Sequence, residues 1–295
     1  MKDRRGSIAL VVMLLADIVL VAWALGLVGG GEPRSERSVR SSATSSTTAT
    51  PSSPEPSPES EGSTVLLDAA GATHALRATY LPCSTEGPAA VEVERTTDGG
   101  ATWQASEVAA RSVLRVRLTS ESEGFAVVAD EECEPRVVTT ADGGETWGEP
   151  GPAVSTWGLW PEPGPEVLVP GGRPATACDE GDAVAISATD GSEAFVLCGD
   201  AAVRRTSDAG KTWTDAATVK DALSVSARGD RVAVLVDTDG CDGLGVRSGE
   251  RAQELALGEP ACVEGVSAPA AIAVTGEAGW VSGGSTTEVG AEVGR

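Results

Sequence analysis

The stretch TTADGGETW, residues 139–147, places threonine, aspartate, glycine, threonine and tryptophan at fixed intervals. The same pattern occurs as TTDGGATW at 96–103 and as TSDAGKTW at 206–213. A reactive site is usually built once in a chain, whereas a pattern that recurs marks a structural unit. The three stretches therefore predict a repeat architecture, in which each copy belongs to one unit.

Three residue types in each stretch have distinct physical roles. An aspartate in a hairpin turn can accept backbone N–H bonds, and a glycine two residues later permits positive φ. A tryptophan that begins the next strand can pack a large ring against its neighbours. We interpret the set as structural, because one carboxylate per turn supplies too few ligands for a metal ion. Its members are Asp98, Gly100, Trp103, Asp142, Gly144, Trp147, Asp208, Gly210 and Trp213.

The segments between the repeated stretches are short, rich in Val, Thr, Gly and Ser, and separated by turn signals, which is typical of an all-β fold. Asp98 and Asp142 are 44 positions apart, about the length of a four-stranded propeller blade. The interval to Asp208 is longer, and its excess at 154–178 is either a long loop or a degenerate half-blade. We predict a β-propeller of five or six blades over residues 64–295, closed by pairing of Thr64–Asp68 with the last blade.

The pattern [ST]-x-D-x-G-x-[ST]-W resembles the Asp box, or BNR repeat, of sialidases, sortilin-type receptors and photosystem II assembly-factor-like propellers. With an aromatic-Val strand upstream, it is most similar to the last group. The resemblance implies a propeller fold over residues 64–295, with three good boxes and two degenerate units. It does not imply one activity, because propellers perform many functions.

The first 63 residues of the chain have a different composition. Residues 1–6 form a basic start, and the apolar run that follows is long enough to cross ~30 Å of hydrocarbon. We predict an uncleaved transmembrane helix over 7–29, with a cleaved signal peptide as the alternative. Residues 30–63, rich in Ser, Thr, Pro and Glu, predict a disordered stalk. The protein is thus expected in the cell membrane, single-pass, with its C-terminal domain extracytoplasmic.

All six cysteines follow the stalk, and an even number of cysteines in an exported domain predicts disulfides. Aligning the blade units suggests the pairs Cys83–Cys133, Cys178–Cys198 and Cys241–Cys262.

The formal net charge of −22 disfavours nucleic acid as a partner. No cofactor is expected.

The candidate catalytic residues are few. Sialidases use an arginine triad and a late tyrosine nucleophile, but this chain has no Arg-Ile-Pro motif and its single tyrosine, Tyr80, lies in the first unit. We interpret Arg77, Arg95, Arg115 and Arg117 as solvated partners of the acidic surface. No residue is therefore assigned a catalytic role.

One segment, DTDGCDG at 237–243, suggests calcium through Asp237, Asp239 and Asp242, since oxygen ligands at alternating positions suit that ion. The EF-loop pattern fails there because Cys241 occupies the fifth position, so a disulfide-stapled turn explains the segment equally well. The sequence favours a binding or scaffold module for an envelope or extracellular partner, either protein or glycan. The alternatives are a sialidase-like glycan hydrolase and an assembly factor for a membrane complex.

Overall fold

The computed structural model describes residues 64–276 and 278–290, which form strands and turns and contain no helix. This agrees with the all-β prediction. None of the described residues forms an apolar helix of membrane-spanning length. The basic start, the predicted transmembrane helix and the predicted stalk lie outside the described residues.

Six antiparallel sheets follow one another along the chain as the blades of a propeller. Blade 1 contains β1 (Thr64–Ala70), β2 (His74–Tyr80), β3 (Val91–Thr96) and β4 (Gln104–Val108). Blade 2 contains β5 (Ser112–Leu118), β6 (Gly124–Ala129), β7 (Pro135–Thr140) and β8 (Gly151–Pro152). Blade 3 contains β9 (Gly158–Leu159), β10 (Glu166–Val169) and β11 (Arg173–Thr176).

The second half of the ring continues in the same manner. Blade 4 contains β12 (Ala183–Ala188), β13 (Ala194–Cys198), β14 (Ala202–Thr206) and β15 (Thr214–Thr218). Blade 5 contains β16 (Ala222–Arg228), β17 (Arg231–Asp237), β18 (Gly243–Glu250) and β19 (Ala261–Glu264). Blade 6 contains β20 (Ala270–Val274), β21 (Gly279–Gly283) and β22 (Thr286–Gly290).

The blade number is six, the upper of the two predicted values. The segment 154–178, left open as a loop or a half-blade, contains the strands of blade 3. Within residues 64–276 and 278–290, blades 3 and 6 have three strands each, and the other four blades have four. Blade 3 is hard to recognise in the sequence because its strands are only two to four residues long.

The first strand of each blade faces the axis of the ring. The first strands of neighbouring blades contact one another, β1 with β5 and β20, and β16 with β12 and β20. Apolar side chains fill the interfaces between blades. One such cluster, for example, joins Leu76 and Val93 of blade 1 to Val116 and Val128 of blade 2. The core is thus divided among the interfaces between neighbouring blades, and the axis remains available for polar groups.

Thr64–Asp68 do not pair with the last blade, contrary to the expectation. β1 pairs along its whole length with β2 of its own blade. Blade 6 instead packs face to face against blade 1, where Trp280 is fully buried beside Ala69 and Ala75. Trp280 Nε1 also donates to Gly71 O at 2.9 Å. Among the described residues, closure rests on side-chain packing and on hydrogen bonds across the interface, which include Arg77 Nη1 to Ser282 Oγ at 3.3 Å.

Candidate functional site

The three repeated turns, at 96–103, 139–147 and 206–213, have the same hydrogen bonds. In the second, Thr140 Oγ1 donates to Asp142 Oδ1 at 2.7 Å, and Gly144 N donates to Thr140 Oγ1 at 2.8 Å. The Thr146 N and Oγ1 donate to the two carboxylate oxygens of Asp142 at 2.9 and 2.5 Å. Equivalent bonds surround Asp98 and Asp208. Each carboxylate is occupied by donors of its own turn.

These hydrogen bonds stabilise the charged form of the carboxylates. Bonds from Thr102 and Thr96 lower the pKa of Asp98 to about 2. Bonds from Thr212 lower the pKa of Asp208 to about 2, and Thr146 lowers that of Asp142. A general acid or base works best with a pKa near the operating pH, so these aspartates are unsuited to proton transfer at neutral pH.

Each repeated turn packs against the preceding blade. The glycines Gly100, Gly144 and Gly210 have φ values of 85, 93 and 75°, as expected from the sequence. A Cβ atom at any of them would collide with a neighbouring blade. The nearest atoms would be Thr287 Cγ2 at 2.6 Å, Leu76 Cδ2 at 2.6 Å and Val169 Cγ1 at 2.5 Å, respectively. Glycine is thus required both for the turn and for the close contact between blades.

The indoles of the turns lie at three separate interfaces. Trp147 packs between blades 1 and 2, and its Nε1 donates to Ser106 Oγ at 2.9 Å. Trp213 meets the ring of Trp157 edge to face, with centroids 6.2 Å apart. Trp103 packs in the cluster that joins blades 1 and 6. The three rings do not converge on a common cavity.

Two of these tryptophans directly precede a fourth strand, as predicted, and one does not. Trp103 comes before β4 and Trp213 before β15. After Trp147, β8 begins only at Gly151. Pro150 lies in between, and a proline cannot donate to a strand ladder.

The structure contains three disulfides, and they join the same pairs that the blade alignment suggested. Their Cα–Cα distances are 5.9, 5.7 and 5.6 Å for Cys83–Cys133, Cys178–Cys198 and Cys241–Cys262. Cys83–Cys133 joins the β2–β3 and β6–β7 loops of neighbouring blades, whereas Cys241–Cys262 lies within blade 5.

The structure does not bring together the calcium candidates Asp237, Asp239 and Asp242. Within the described ranges, no three carboxylate, imidazole or thiol side chains are placed to hold a metal ion. The backbone turns at Gly240, with φ of 83°, and Cys241 is held by its disulfide to Cys262. The segment contains the disulfide-stapled turn that the sequence suggested beside the calcium interpretation.

The most unusual cluster of polar side chains lies at the axis of the ring. We call Asp68, Arg115, Arg117 and Arg228 the arginine cluster. Asp68 accepts from Arg228 Nη2 at 3.1 and 3.0 Å, from Arg117 Nη1 at 3.4 Å and from Leu118 N at 2.8 Å. The cluster thus contains three guanidinium groups and one carboxylate, an excess of positive charge at the centre of an acidic protein.

Arg115 is the least compensated member of the cluster. It is 8% exposed, and its two terminal nitrogens donate only to the carbonyl oxygens of Trp157 and Ala188, both at 3.4 Å. Burial lowers the pKa of the Arg115 guanidinium to about 10, and repulsion from Arg117 adds to the decrease. The group remains charged at neutral pH. In addition, Nε of Arg228 is buried without a hydrogen-bond partner among the described residues.

Two cavities adjoin the cluster. A small cavity of about 40 Å³ lies along the axis, lined by Asp68, Arg115, Arg117, Ser187 and Ser226 among others. A larger, open cavity of about 160 Å³ is lined by Arg115, Arg117, Phe125, Ser155 and Asp190, among others. The open cavity gives small ligands access to the two arginines.

The expectation that all four arginines are solvated surface partners is wrong for Arg115 and Arg117. Arg77 pairs with Glu94 at 2.7 Å and Arg95 with Glu145 at 3.0 Å, as expected for ion pairs, but the side chains of these two arginines are only 16 and 17% exposed. Arg115 and Arg117 instead point into the ring. The sequence signal was available in β5, VLRVRL at 113–118, where two arginines alternate with apolar residues on a buried strand. Asp68 and Arg228 were not recognised as partners because they belong to β1 and β16, distant in sequence.

Tyr80, the only tyrosine of the chain, is buried, and its hydroxyl donates to Trp160 O at 3.2 Å. Burial raises its pKa to about 12. A hydroxyl so occupied and so hard to ionise does not serve as a nucleophile.

No protein-family profile matches this chain, and no curated protein is similar to it. Several solved propeller structures share its general arrangement. YCF48 from Cyanidioschyzon merolae is 14% identical, with a TM-score of 0.43, over 77% of this chain and 94% of that one. YCF48 bound to D1 peptide is 16% identical, with a TM-score of 0.31, over 74% of this chain and 60% of that one.

A glycoside hydrolase, the GH74 enzyme of Niastella koreensis, is 15% identical with a TM-score of 0.30, over 75% of this chain and 34% of that enzyme. The chain thus spans 60% and 34% of the length of two of these three proteins. Structural similarity at these TM-scores says nothing about the activity of this chain. The number of blades is assigned from the sheets of this structure alone.

Proposed function

We propose that this chain is a membrane-anchored binding module outside the cytoplasm, and that its arginine cluster holds an acidic group of the partner. One observation carries the proposal. Arg115 is a buried cation beside an open cavity, and no carboxylate bonds to it.

A buried charge is unfavourable unless an opposite charge or good hydrogen bonds compensate it. The carbonyl contacts of Arg115 are long, and Asp68 is shared by Arg117 and Arg228. A carboxylate in the open cavity would supply the missing charge, and a guanidinium binds such a group through paired N–H donors. The negative exterior of the chain would admit a single acidic group on a neutral or basic partner more readily than a highly acidic protein.

The two cavities beside the arginine cluster favour binding over glycan hydrolysis. Most glycosidases need two carboxyl groups that flank the scissile bond, one of them free to move a proton. The described carboxylates that line the two cavities are Asp68 and Asp190. Asp68 is bound by two arginines, and Asp190 accepts from Ser192 N at 2.7 Å and from Glu193 N at 2.9 Å. Neither is free to act as an acid or base.

The proposed location follows from chemistry elsewhere in the chain. Disulfides persist in oxidising compartments, and all six cysteines of the chain are paired, which supports an exported domain. The apolar run at 7–29 would anchor the protein with its basic start in the cytoplasm. Residues 30–63 would then hold the propeller away from the membrane.

The test uses the full chain in its native membrane. A photocrosslinking amino acid replaces Ser155, which is exposed and lines the open cavity. We expect a crosslinked partner that is lost when Arg117→Gln is added and retained with Arg136→Gln, a surface arginine paired with Asp130. Identification of that partner by mass spectrometry would also separate a general binding module from an assembly factor for a membrane complex.

A second measurement uses purified full-length protein in detergent. Calorimetric titration with succinate, with chloride as the ionic control, should show binding that Arg117→Gln weakens and Arg136→Gln does not. Equal binding by both variants would contradict the proposal. Turnover of a glycan panel that is abolished by Asp68→Asn or Asp190→Asn would favour the hydrolase instead.

A further inference from the structure

A groove with apolar walls adjoins the open cavity beside the arginine cluster. Its volume is about 470 Å³, and its walls include Phe125, Val137, Pro152 and Val154. Val154 is 54% exposed, one of two large apolar side chains that stand so far out among the described residues. A concave surface that gathers apolar side chains is the usual form of a site for an apolar group.

The groove and the open cavity are continuous. Thr119, Phe125, Ser155 and Thr156 belong to the walls of both. The ring of Phe125 connects them to the cluster, because Arg115 Cζ lies 5.8 Å from the centroid of that ring. One ligand can therefore contact the apolar walls and the guanidinium groups at the same time.

The shape of the groove is fixed by backbone pairing. Phe125 of β6 pairs with Thr139 of β7, and Val127 pairs with Val137, so Phe125 and Val137 are diagonal neighbours on one face of blade 2. The segment that leads from blade 2 to blade 3 forms the opposite wall, and Gly171 N donates to Val154 O at 2.8 Å to hold it there. The apolar surface is thus formed before any ligand binds.

We propose that the groove and the arginine cluster together bind an extended segment of a partner protein, in which an apolar side chain lies two positions from an aspartate or glutamate. The inference rests on the proposed function and adds the chemistry of the residue beside the acidic group. Side chains two positions apart in an extended segment share one side, about 7 Å from each other. The apolar side chain would contact Phe125 and Val154 while the carboxylate binds Arg115 and Arg117.

The donors at the inner end favour a side-chain carboxylate over the end of a chain. Arg115 and Arg117 present guanidinium groups to the open cavity, whereas a terminal carboxylate is typically held by a nest of backbone N–H groups. A guanidinium group suits the carboxylate of aspartate or glutamate equally well in the middle of a segment.

The charge of the groove indicates what flanks the acidic residue. Glu123 is exposed and lines the groove but not the open cavity, and the chain carries a formal charge of −22. Basic residues on either side of the acidic one are therefore favoured. A second copy of the chain would bring its own negative charge to this surface.

The test is calorimetric titration of the full chain in detergent with a synthetic peptide. The probe is a nine-residue threonine peptide with blocked ends, a lysine at each end, a central glutamate and a leucine two positions before it. We expect it to bind about tenfold more tightly than the same peptide with serine for leucine, the effect of partly burying one apolar side chain. A peptide with glutamine for glutamate should bind far more weakly, and so should a glutamine peptide with a free terminal carboxylate.

Two matched variants locate the apolar contact. Val154→Ser removes part of one wall, so it should reduce the tenfold gain from leucine to about threefold. Leu81→Ser is the control, because Leu81 is the other exposed large apolar side chain, at 41%, and lines neither the groove nor the open cavity. It should leave the gain unchanged. Arg117→Gln should weaken the leucine and serine peptides alike.

Succinate separates this inference from the function on which it rests. If succinate binding depends on Arg117 but the leucine and serine peptides bind equally, the apolar contact is refuted and the proposed function stands. If neither succinate nor any peptide binds, both are refuted. Peptide binding that survives Arg117→Gln would place the peptide elsewhere, and tighter binding of the free-carboxylate peptide would assign the site to a chain end. Each of these two results would overturn the inference.

Crosslinking identifies the occupant of the groove directly. A photocrosslinking amino acid replaces Thr139, which is exposed in the groove wall. With saturating probe peptide, we expect an adduct to the peptide. An adduct between two copies of the chain, or to residues 1–63 or 291–295 of the same chain, that persists at saturating peptide would assign the groove to that occupant and overturn the inference.

Discussion

The two ends of the propeller are held together by different chemistry. At one end, the turn end, each repeated turn contacts the first hairpin of its own blade, for example through Gly143 N and Ser122 O at 2.7 Å. The arginine cluster opens here, since Thr119 and Thr189, which follow β5 and β12, line its open cavity. At the other end, the disulfide end, lie the linked loops of Cys83 and Cys133. The end with the candidate binding site is thus held by hydrogen bonds, and the opposite end by covalent links.

The difference shows that the contributions to stability and the candidate binding site are distributed unequally between the two ends of the propeller. A disulfide acts mainly by restricting the unfolded chain, so it stabilises the ring wherever it lies. The carboxylates of the repeated turns act only while they are charged, and Arg115 is itself an unfavourable buried cation. We therefore expect reduction of the disulfides to affect the disulfide end, and acid or the loss of a charged side chain to affect the turn end.

The largest expected effect is at the disulfide end. Cys83→Ser with Cys133→Ser opens a link of sequence separation 50 and should cost about 4 kcal/mol of unfolding free energy. Cys178→Ser with Cys198→Ser, of separation 20, should cost about 3 kcal/mol. Urea titration measures both. Succinate binding at the turn end should survive in either variant while it remains folded, and loss of binding in the folded protein would break the separation between the ends.

The next effect has the opposite sign and concerns Arg115. Arg115→Met removes a buried, poorly compensated cation, so it should raise the unfolding free energy by about 1–2 kcal/mol while it abolishes anion binding. The control is Arg204→Met, because Arg204 is equally buried but pairs with Asp179 at 2.6 Å. That variant should lose about 1 kcal/mol. If both variants lose stability to the same extent, Arg115 is a structural residue rather than a binding residue.

A smaller effect distinguishes two indoles at the turn end. Trp147→Phe loses the hydrogen bond to Ser106 and should cost about 1 kcal/mol. Trp103→Phe has no such bond to lose and should be neutral or slightly stabilising, since it removes an unpartnered donor. Thermal unfolding of the two variants, at matched concentration, measures the difference. Equal losses would show that packing alone, and not the N–H group, determines the role of these rings.

The smallest effect is an acid response confined to the turn end. Folding lowers the pKa of Asp98 from 3.8 to about 2, and that of Asp208 likewise. Because the folded pKa is the lower one, this stabilisation is complete above about pH 4 and is lost as the pH falls toward 2. Asp98→Asn with Asp208→Asn should lower the Tm at pH 7 and flatten its decrease between pH 4 and 2. A decrease as steep as in the unaltered chain would assign the acid response to other carboxylates.

The repeated turns were predictable because their interactions are local. The hydrogen bonds of Asp142 connect residues at most four positions apart, so spacing in the sequence already specifies them. Blade 3 was harder to recognise, because it has no repeated turn and its short strands resemble a loop. The pairing of Thr64–Asp68 was wrong for a related reason. β2 follows β1 after a three-residue turn, and this local hairpin partner displaces a distant one.

The candidate site depended on contacts that no local pattern contains. The alternation in β5 shows that Arg115 and Arg117 share one side of a strand. It does not show that this side faces Asp68, 49 positions from Arg117, or Arg228, 160 positions from Asp68. Likewise, the unpartnered state of Trp103 depends on a blade at the other end of the chain.

The sequence by itself determined the strand-rich blades, the form of the repeated turns and the even set of cysteines, because hydrogen bonds over a few residues and composition specify these features. Only the tertiary structure decided the number of strands in each blade, the closure by packing of Trp280, and the meeting of three arginines with one aspartate at the axis. The physical reason is the geometry of a ring. It places the first strand of every blade at a common centre, and residues far apart in sequence share one buried environment there.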